Sequence, residues 1–200
     1  DPVEGKAVIR VKDTLAAMRD LASWYRSKFN IPFVGITGSV GKTSTKDMIA
    51  SVLSQKFNVL KTQGNFNNEI GLPLTIFNLD CFHQAAVIEM GMSGFGEISR
   101  LTSIVKPQIA VITNIGLAHI EKLGSRQNIL KAKLEILEGL AADGLVVLNG
   151  DDKLLSGMRD LLKFRTVFFG IEDGMDYQAY NIKTDGEKGT RFEILIRNRE

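Results

Sequence analysis

Residues 33–48 read FVGITGSVGKTSTKDM, and the order of structures that they predict sets the architecture of the chain. The first four residues form an apolar run with the length and composition of a buried parallel strand. A glycine-bounded turn follows at residues 37–41, and a helix begins after it. The apolar side of that helix carries Met48, Ile49, Val52 and Leu53. A strand, a glycine-rich turn and a helix in this order predict one unit of an α/β fold.

The same turn predicts a site for a chain of phosphate groups. Exposed backbone N–H groups would converge on phosphate oxygens, and the helix N-terminus would add its partial positive charge. Lys42 would reach the terminal phosphates, and the Thr43 hydroxyl would ligate Mg²⁺. The residues expected to hold the phosphates are Thr37, Gly38, Ser39, Val40, Gly41, Lys42 and Thr43.

This turn departs from the standard eight-residue phosphate loop, which has a glycine where the chain has Ile36. The form present is the shorter T-G-x-x-G-K-T. The alternative interpretation is a tight turn between a strand and a helix, with Lys42 on the surface. The position of the motif between an apolar strand and an amphipathic helix favours phosphate binding.

Composition predicts one compact soluble domain. The 200 residues are 44% hydrophobic, with a mean hydropathy of +0.01, which is enough for one sizeable core. The net charge is +2, from 25 basic and 23 acidic residues, so nothing indicates a nucleic-acid or membrane surface. No apolar run reaches the ~20 residues of a membrane span. Cys81 is the only cysteine, which excludes an internal disulfide and fits a reducing compartment.

These properties lead us to expect a cytoplasmic monomer without a signal peptide. The sequence starts at Asp1 rather than at a methionine, which suggests a piece excised from a longer protein.

The rest of the chain alternates predicted strands with predicted helices. A strand at residues 7–11 and a helix at residues 14–29, capped by Asp13, precede the phosphate loop. Further strands are predicted at residues 58–61, 85–90, 108–113, 145–148 and 165–170, and helices at 97–105, at 125–140 and up to 162. This alternation predicts a mostly parallel, doubly wound sheet covered on both faces. Strands at 177–183 and 190–196 predict an antiparallel hairpin at the C-terminal end.

The chemically distinctive residues all follow the carboxyl ends of predicted strands. They lie in the phosphate loop, in the asparagine-rich loop at residues 62–68, and at Glu89, His119 and Asn149. Ligands of open α/β sheets bind at that edge, so we expect these segments to face one crevice.

Glu89 and His119 are the candidate metal ligands. Glu89 ends an apolar strand, where a bound Mg²⁺ would offset the cost of burying its charge. A solvated strand end is the alternative for Glu89. A surface or capping role is the alternative for His119, although its place at the sheet edge favours a ligand.

Two lysines of the helix at residues 125–140 differ in their surroundings. Lys131 falls on a polar stripe and forms a favourable i,i+4 pair with Glu135. Lys133 points toward the apolar side, between the helically spaced Ile129, Ile136, Leu137 and Leu140. A buried lysine must find a partner, lose its proton or be modified. Snorkelling to the surface is the alternative, and the spacing leaves both interpretations open.

Five motifs follow one another along the chain: TGSVGKTSTKDM, GNFNNEIGLP, EMGMSGFGEI, TNIGLAHIEKLGS and AKLEIL. In this order, over roughly residues 7–170, they resemble the central ATP-binding domain of the Mur ligases. The second and third motifs are most similar to those of the family members that add D-Ala-D-Ala.

The resemblance implies an ATP-dependent amide-bond ligase of peptidoglycan precursor synthesis. The carboxylate of a UDP-N-acetylmuramoyl tripeptide would attack the γ-phosphate of ATP to give an acyl phosphate. The amine of D-Ala-D-Ala would then displace phosphate. The chemistry would rest on electrostatic stabilisation of phosphoryl transfer, largely by metal ions.

The resemblance also assigns roles to single residues. Lys42 and the loop up to Thr43 would hold the phosphates, with Thr43 on Mg²⁺. Glu89 and His119 match metal-ligand positions, and Lys133 matches the lysine that is carbamylated in relatives, where the new carboxylate helps to hold a second Mg²⁺. Contacts with the nucleotide or the UDP substrate are implied for Asn149, which matches an adenine-contacting position, and for Asn65, Asn67 and Asn68.

The resemblance further implies a division into domains. Residues 1–30 would be the tail of an N-terminal domain with its connecting helix, and residues 31–200 a central ATP-binding domain truncated at its C-terminal end. A C-terminal ligase domain would be absent, so we expect these 200 residues alone not to catalyse ligation. Two alternatives remain: a ligase of the Mur or folylpolyglutamate type with another substrate, and a non-catalytic nucleotide-binding module.

Overall fold

The computed structural model of the chain describes residue 5 and residues 7–197. Its strands are β1 Phe33–Thr37, β2 Val59–Lys61, β3 Ala85–Glu89, β4 Ile109–Ile112, β5 Leu145–Asn149, β6 Arg165–Gly170, β7 Tyr177–Thr184 and β8 Thr190–Ile196. They form one sheet in the order β2-β3-β1-β4-β5-β6-β7-β8. Neighbouring strands are parallel throughout, except that β7 and β8 pair antiparallel. The predicted mostly parallel sheet with a C-terminal hairpin is therefore confirmed.

The helices lie between the strands in the predicted alternation. The α-helices are α1 Thr14–Arg26, α2 Lys42–Leu53, α3 Gly71–Ile76, α4 Glu97–Val105, α5 Ile120–Leu123, α6 Arg126–Leu134 and α7 Lys153–Ser156, and the 3₁₀ helices are Glu135–Gly139 and Gly186–Lys188. The Asp13 carboxylate caps α1 as predicted, because it accepts hydrogen bonds from the N–H groups of Leu15 and Ala16.

The core forms two apolar layers, one on each face of the sheet. On β1, Phe33 packs into the larger layer, and Val34 and Ile36 pack into the smaller one with Ala50 of α2. This division follows from the two-residue alternation of a strand. All five residues of β1 are buried, which explains why its sequence is a continuous apolar run.

Residues 7–11 were expected to form a strand, and this prediction is wrong. These residues are exposed and have no strand assignment, and none of them pairs with the sheet among the described residues. Residues 7–11 therefore have no neighbouring strand with which to form backbone hydrogen bonds. Residues 1–4 and 6 of the predicted N-terminal segment 1–30, and residues 198–200 of the predicted domain 31–200, lie outside the described residues.

The helix expected over residues 125–140 ends early. It stops at Leu134 and continues as a 3₁₀ helix, Glu135–Gly139, that packs against α4. The Glu135 carboxylate accepts hydrogen bonds from the N–H groups of Gly96 and Ser99 at the start of α4, at 2.8 and 3.1 Å. Glu135 is therefore engaged with α4, and no ion pair with Lys131 forms among the described residues.

Two other helices are also shorter than expected. The helix α1 ends at Arg26 instead of residue 29. The Arg26 guanidinium donates hydrogen bonds to the carbonyls of Phe29 and Val105. The helix expected to reach residue 162 covers only Lys153–Ser156, and turns follow it.

Candidate functional site

The phosphate loop connects β1 to α2 and has two glycines in conformations that favour glycine. Gly38 has φ 153°, and Gly41, which precedes the first residue of α2, has φ 79°. A Cβ atom at Gly38 would lie 1.8 Å from the Thr113 hydroxyl oxygen, so this position also lacks space for a side chain. The sequence therefore folds here into a tight turn that brings backbone N–H groups to the start of a helix.

The Lys42 ammonium lies back over the loop. Its Nζ donates a hydrogen bond to the Gly38 carbonyl at 2.9 Å. Burial lowers the pKa of Lys42, and the nearby Glu89 carboxylate opposes that shift. Lys42 is thus placed at the loop itself and not on the open surface, as the phosphate-binding interpretation requires.

The loop is fastened by residues that follow β4. Ser39 N–H donates to the Asn114 carbonyl and Val40 N–H to the Asn114 side-chain oxygen, both at 3.1 Å. The Thr113 hydroxyl donates to the Val40 carbonyl at 2.7 Å. No role for Thr113 or Asn114 was predicted from the sequence. The available signal was their position, since both directly follow a buried strand at the same sheet edge.

Glu89 lies at the other side of the loop, at the end of β3, and is 1% exposed. The Thr43 hydroxyl donates to Glu89 Oε2 at 3.0 Å, and the Asn67 amide donates to Oε1 at 2.8 Å. The Glu89 N–H donates to the hydroxyl of Thr62, a contact that was not predicted from the sequence. The solvated alternative for Glu89 is therefore wrong.

This arrangement fits a divalent cation. The buried Glu89 carboxylate forms no ion pair within 4 Å among the described residues, and such a charge is costly without a compensating cation. A carboxylate and a hydroxyl oxygen beside a phosphate site are ligands that Mg²⁺ prefers. The Thr37 hydroxyl, at the first position of the loop, is also buried and has no hydrogen-bond partner in the described part of the chain.

Lys133 is 3% exposed, so the buried interpretation is correct and snorkelling is excluded. Its pKa is lowered to about 7, first because burial penalises the charged form and second because the Lys42 ammonium is nearby. A large fraction of Lys133 is therefore a neutral amine near pH 7. Its orientation is the one that helical spacing predicted, and its proximity to Lys42 places it beside the phosphate loop.

His119 is not brought into contact with Glu89. Its side chain is exposed, its φ is 65°, and its carbonyl accepts hydrogen bonds from the N–H groups of Lys122 and Leu123. Within residues 7–197, no three His, Cys, Asp or Glu side chains are grouped so that they could hold a metal ion. The metal-ligand role of His119 stays a prediction.

The three asparagines predicted to contact substrate have different surroundings. Asn67 is bonded to Glu89, as described above. The Asn68 side chain accepts hydrogen bonds from Ile70 N–H at 3.1 Å and Gly71 N–H at 2.8 Å, just before α3. Asn65 is exposed, and its carbonyl accepts a hydrogen bond from Asn67 N–H. Asn68 thus shapes its own loop, whereas Asn65 keeps a free side chain at the sheet edge among the described residues.

Asn149 lies at the end of β5, on the far side of Thr113. Its amide nitrogen donates to the Thr113 carbonyl at 3.0 Å, and its oxygen accepts from Asp151 N–H at 3.0 Å. The structure therefore brings Asn149 to the same edge as the phosphate loop. Its contact with adenine stays a prediction.

The described residues contain no helix long and apolar enough to span a membrane.

Comparison with known proteins gives consistent results. A family model described as the Mur ligase middle domain matches residues 36–200. The UDP-N-acetylmuramoyl-tripeptide--D-alanyl-D-alanine ligase of Bacillus subtilis is 46% identical over 194 residues, which are 97% of this chain and 42% of that protein. The ligase of the same name from Escherichia coli is 39% identical over 186 residues, which are 92% of this chain and 41% of that protein.

Solved structures give the same picture. A MurF ligase from Thermotoga maritima in complex with ADP superposes with a TM-score of 0.88 at 33% identity, covering 98% of this chain and 45% of that chain. A folylpolyglutamate synthase (FPGS) mutant from L. casei superposes with a TM-score of 0.66 at 16% identity, covering 96% of this chain and 57% of that one, and shares the fold alone. The chain therefore spans less than half the length of the curated relatives named above.

Proposed function

The chain belongs to the Mur ligase family, and from that premise we propose that it is the nucleotide-binding part of an ATP-dependent ligase that joins D-Ala-D-Ala to a UDP-N-acetylmuramoyl tripeptide. The names of its relatives support this choice of substrates. The observation that carries the proposal is the hydrogen bond between Thr43 and Glu89 at the end of the phosphate loop. It joins the start of α2 to a buried carboxylate that forms no ion pair within 4 Å among the described residues.

The phosphate loop would bind and orient ATP. The N–H groups at the start of α2 and the Lys42 ammonium would contact the β- and γ-phosphates, as in other phosphate loops. Lys42 would exchange its present bond to the Gly38 carbonyl for one to phosphate. Its partial burial strengthens that contact, because fewer water molecules compete for the ammonium.

Thr43 and Glu89 would hold Mg²⁺, and Asn67 would orient the Glu89 carboxylate. When bound, the metal would neutralise charge that develops on the transferred phosphoryl group. We also propose His119 as a metal ligand and Lys133 as a carbamylated one. The lowered pKa of Lys133 supports its modification, because the neutral amine is the form that reacts with carbon dioxide.

The reaction would proceed through an acyl phosphate. A tripeptide carboxylate oxygen would attack the γ-phosphorus of ATP and form an O–P bond with it. The bond between the γ-phosphorus and the bridging oxygen of the β-phosphate would break, which releases ADP. The amine of D-Ala-D-Ala would then attack the acyl carbon, forming the amide bond, and phosphate and a proton would leave. Asn149 would contact the adenine, and Asn65, Asn67 and Asn68 would lie near the nucleotide or the UDP substrate.

We propose that residues 1–30 connect to an N-terminal domain and that residues 31–200 belong to the ATP-binding domain. Because the relatives are more than twice as long as the chain, we expect the 200 residues alone to bind nucleotide without catalysing ligation. A monomeric state is likewise proposed.

The test is ADP release, measured by a coupled assay, in a protein that carries this chain at the full length of its relatives. Release that requires both the tripeptide and D-Ala-D-Ala would support the proposal. Release with L-amino acids or with folate and glutamate instead would identify another ligase of the superfamily. Nucleotide binding without ADP release under any of these conditions would indicate a non-catalytic module.

A further inference from the structure

The segment Asn149–Asp152 connects the end of β5 to the loops that follow β4 and β6. Asn149 bonds the Thr113 carbonyl at the end of β4. The Asp151 carboxylate accepts hydrogen bonds from the N–H groups of Ile171 and Glu172 after β6. Asp152 reaches the loop that follows β4, at Ile115. The polar side chains of this segment thus contact the chain after both neighbouring strands, with Asn149 and Asp152 on the β4 side and Asp151 on the β6 side.

Asp152 is the most buried of these carboxylates, with 7% of its side chain exposed. Its Oδ1 accepts hydrogen bonds from Leu154 and Leu155 N–H and caps α7. Its Oδ2 accepts a hydrogen bond from Ile115 N–H at 2.7 Å and lies 3.7 Å from the Arg126 guanidinium. Both oxygens are therefore engaged, and one of them holds a residue outside the segment.

The Ile115 N–H belongs to the same planar peptide as the Asn114 carbonyl, which accepts the hydrogen bond from Ser39 N–H at 3.1 Å. A single rigid peptide therefore links the Asp152 carboxylate to the phosphate loop. The carboxylate also polarises this peptide, which makes its carbonyl a stronger acceptor for Ser39.

The next peptide repeats the arrangement. The Ile115 carbonyl accepts hydrogen bonds from Arg126 Nε at 3.0 Å and Nη2 at 2.6 Å. The N–H of the same peptide, on Gly116, donates to the Ser39 hydroxyl at 2.9 Å. Asp152 and Arg126 thus hold two consecutive peptides from one side, and on the other side both peptides contact Ser39.

We propose that Asp152 is a positioning residue for the phosphate loop, which it orients through the Asn114–Ile115 peptide. The inference rests on the proposed function, because the loop's role is to bind the phosphates of ATP. Asp152 itself need not touch the nucleotide. Its loss would let the Asn114–Ile115 peptide rotate, and Ser39 N–H would lose its fixed acceptor.

The variant Asp152→Asn separates this role from helix capping. Asparagine caps helices about as well as aspartate, so its oxygen can keep the bonds to α7. Its NH₂ group then faces Ile115 N–H, so that two donors oppose each other. Asp151→Asn is the matched control, because the Asp151 carboxylate accepts hydrogen bonds only from residues after β6 among the described residues. Arg126→Gln removes the guanidinium that bonds the Ile115 carbonyl of the second peptide. This variant replaces Asp152→Asn in the measurements if Asp152→Asn does not fold.

Two measurements on the 200-residue chain test the proposal. Amide hydrogen exchange without ligand reports directly on Ser39 and Val40. Calorimetry with tripolyphosphate and with ATP, both with Mg²⁺, compares a ligand that reaches only the phosphate loop with one that also carries a base. We expect Asp152→Asn to speed exchange at Ser39 and to raise the Kd of both ligands about tenfold, which equals about 1.4 kcal/mol. Asp151→Asn should leave the tripolyphosphate Kd unchanged.

The outcomes distinguish this inference from the proposed function. Unchanged exchange at Ser39 in Asp152→Asn, or a Kd that rises for ATP but not for tripolyphosphate, would overturn the positioning role. The second result would mean that Asp152 acts at the base. A folded wild-type chain that binds neither ligand would overturn nucleotide binding by this chain, whereas the exchange measurement would still decide the positioning role.

Discussion

Replacing Lys133 by methionine should raise the stability of the protein and flatten its dependence on pH. The pKa of Lys133 is lowered from 10.5 to about 7 in the folded chain, so the unfolded chain binds more protons between these two values. Stability therefore rises with pH across this interval and is lowest, with the full penalty present, below pH 7. From pH 7 to pH 9 this one group should contribute a rise of about 2 kcal/mol.

The assay is urea unfolding of wild type and variant at several pH values between 6 and 9, in buffer free of carbon dioxide. The difference in unfolding free energy between the two proteins isolates Lys133 from other groups that titrate in this range. Methionine has a similar length and no charge, so it should pack in the same apolar layer. Lys131→Met, which removes an exposed lysine of the same helix, is the control and should leave the pH dependence as it is in wild type.

A variant that is less stable than wild type at pH 7, with an unchanged slope, would refute the reasoning. It would mean that the Lys133 ammonium has a favourable partner in the folded chain. Among the described residues Lys133 has no hydrogen bond or ion pair, so this result would contradict the contacts on which the prediction rests.

Three further substitutions test the site. Lys42→Ala should weaken ATP binding about a hundredfold in calorimetry, because it removes a charged contact to phosphate, and an unchanged Kd would contradict the assignment. Glu89→Gln should abolish the gain in ATP affinity that Mg²⁺ gives wild type; a gain that persists would place the metal elsewhere. Gly38→Ala should destabilise the chain by about 1–3 kcal/mol in urea unfolding beyond the cost of Gly41→Ala, because only the first Cβ meets Thr113. Equal costs for the two glycine variants would show that backbone strain alone matters.

Local patterns were sufficient to predict the eight strands of the sheet and the tight turn between β1 and α2, although they also predicted a strand at residues 7–11 that does not form. A continuous apolar run such as β1 has few interpretations other than a strand buried on both faces. The orientation of Lys133 also followed from spacing, because its apolar neighbours on the helix are close in sequence.

The errors arose where distant residues determine the local structure. The helix at Leu134 ends because Glu135 bonds to α4, almost forty residues earlier in the chain, and helical spacing contains no trace of that contact. The Asn68 side chain also shapes the turn before α3, which was not predicted, and its contact with a ligand stays a prediction. Asparagine serves both purposes equally well, so its presence in a loop could not distinguish them.

The attachment of the phosphate loop to both neighbouring strand ends limits how the motif can be transplanted. Glu89 bonds Thr43 from the β3 side, and Thr113 bonds Val40 from the β4 side. Residues 37–43 copied into the turn of another sheet would lose both supports. The smallest portable unit is instead the three adjacent strands β3, β1 and β4 together with the first residues after each, which are far apart in sequence. Protein engineers who wish to move the proposed nucleotide site should therefore graft a sheet edge rather than a peptide.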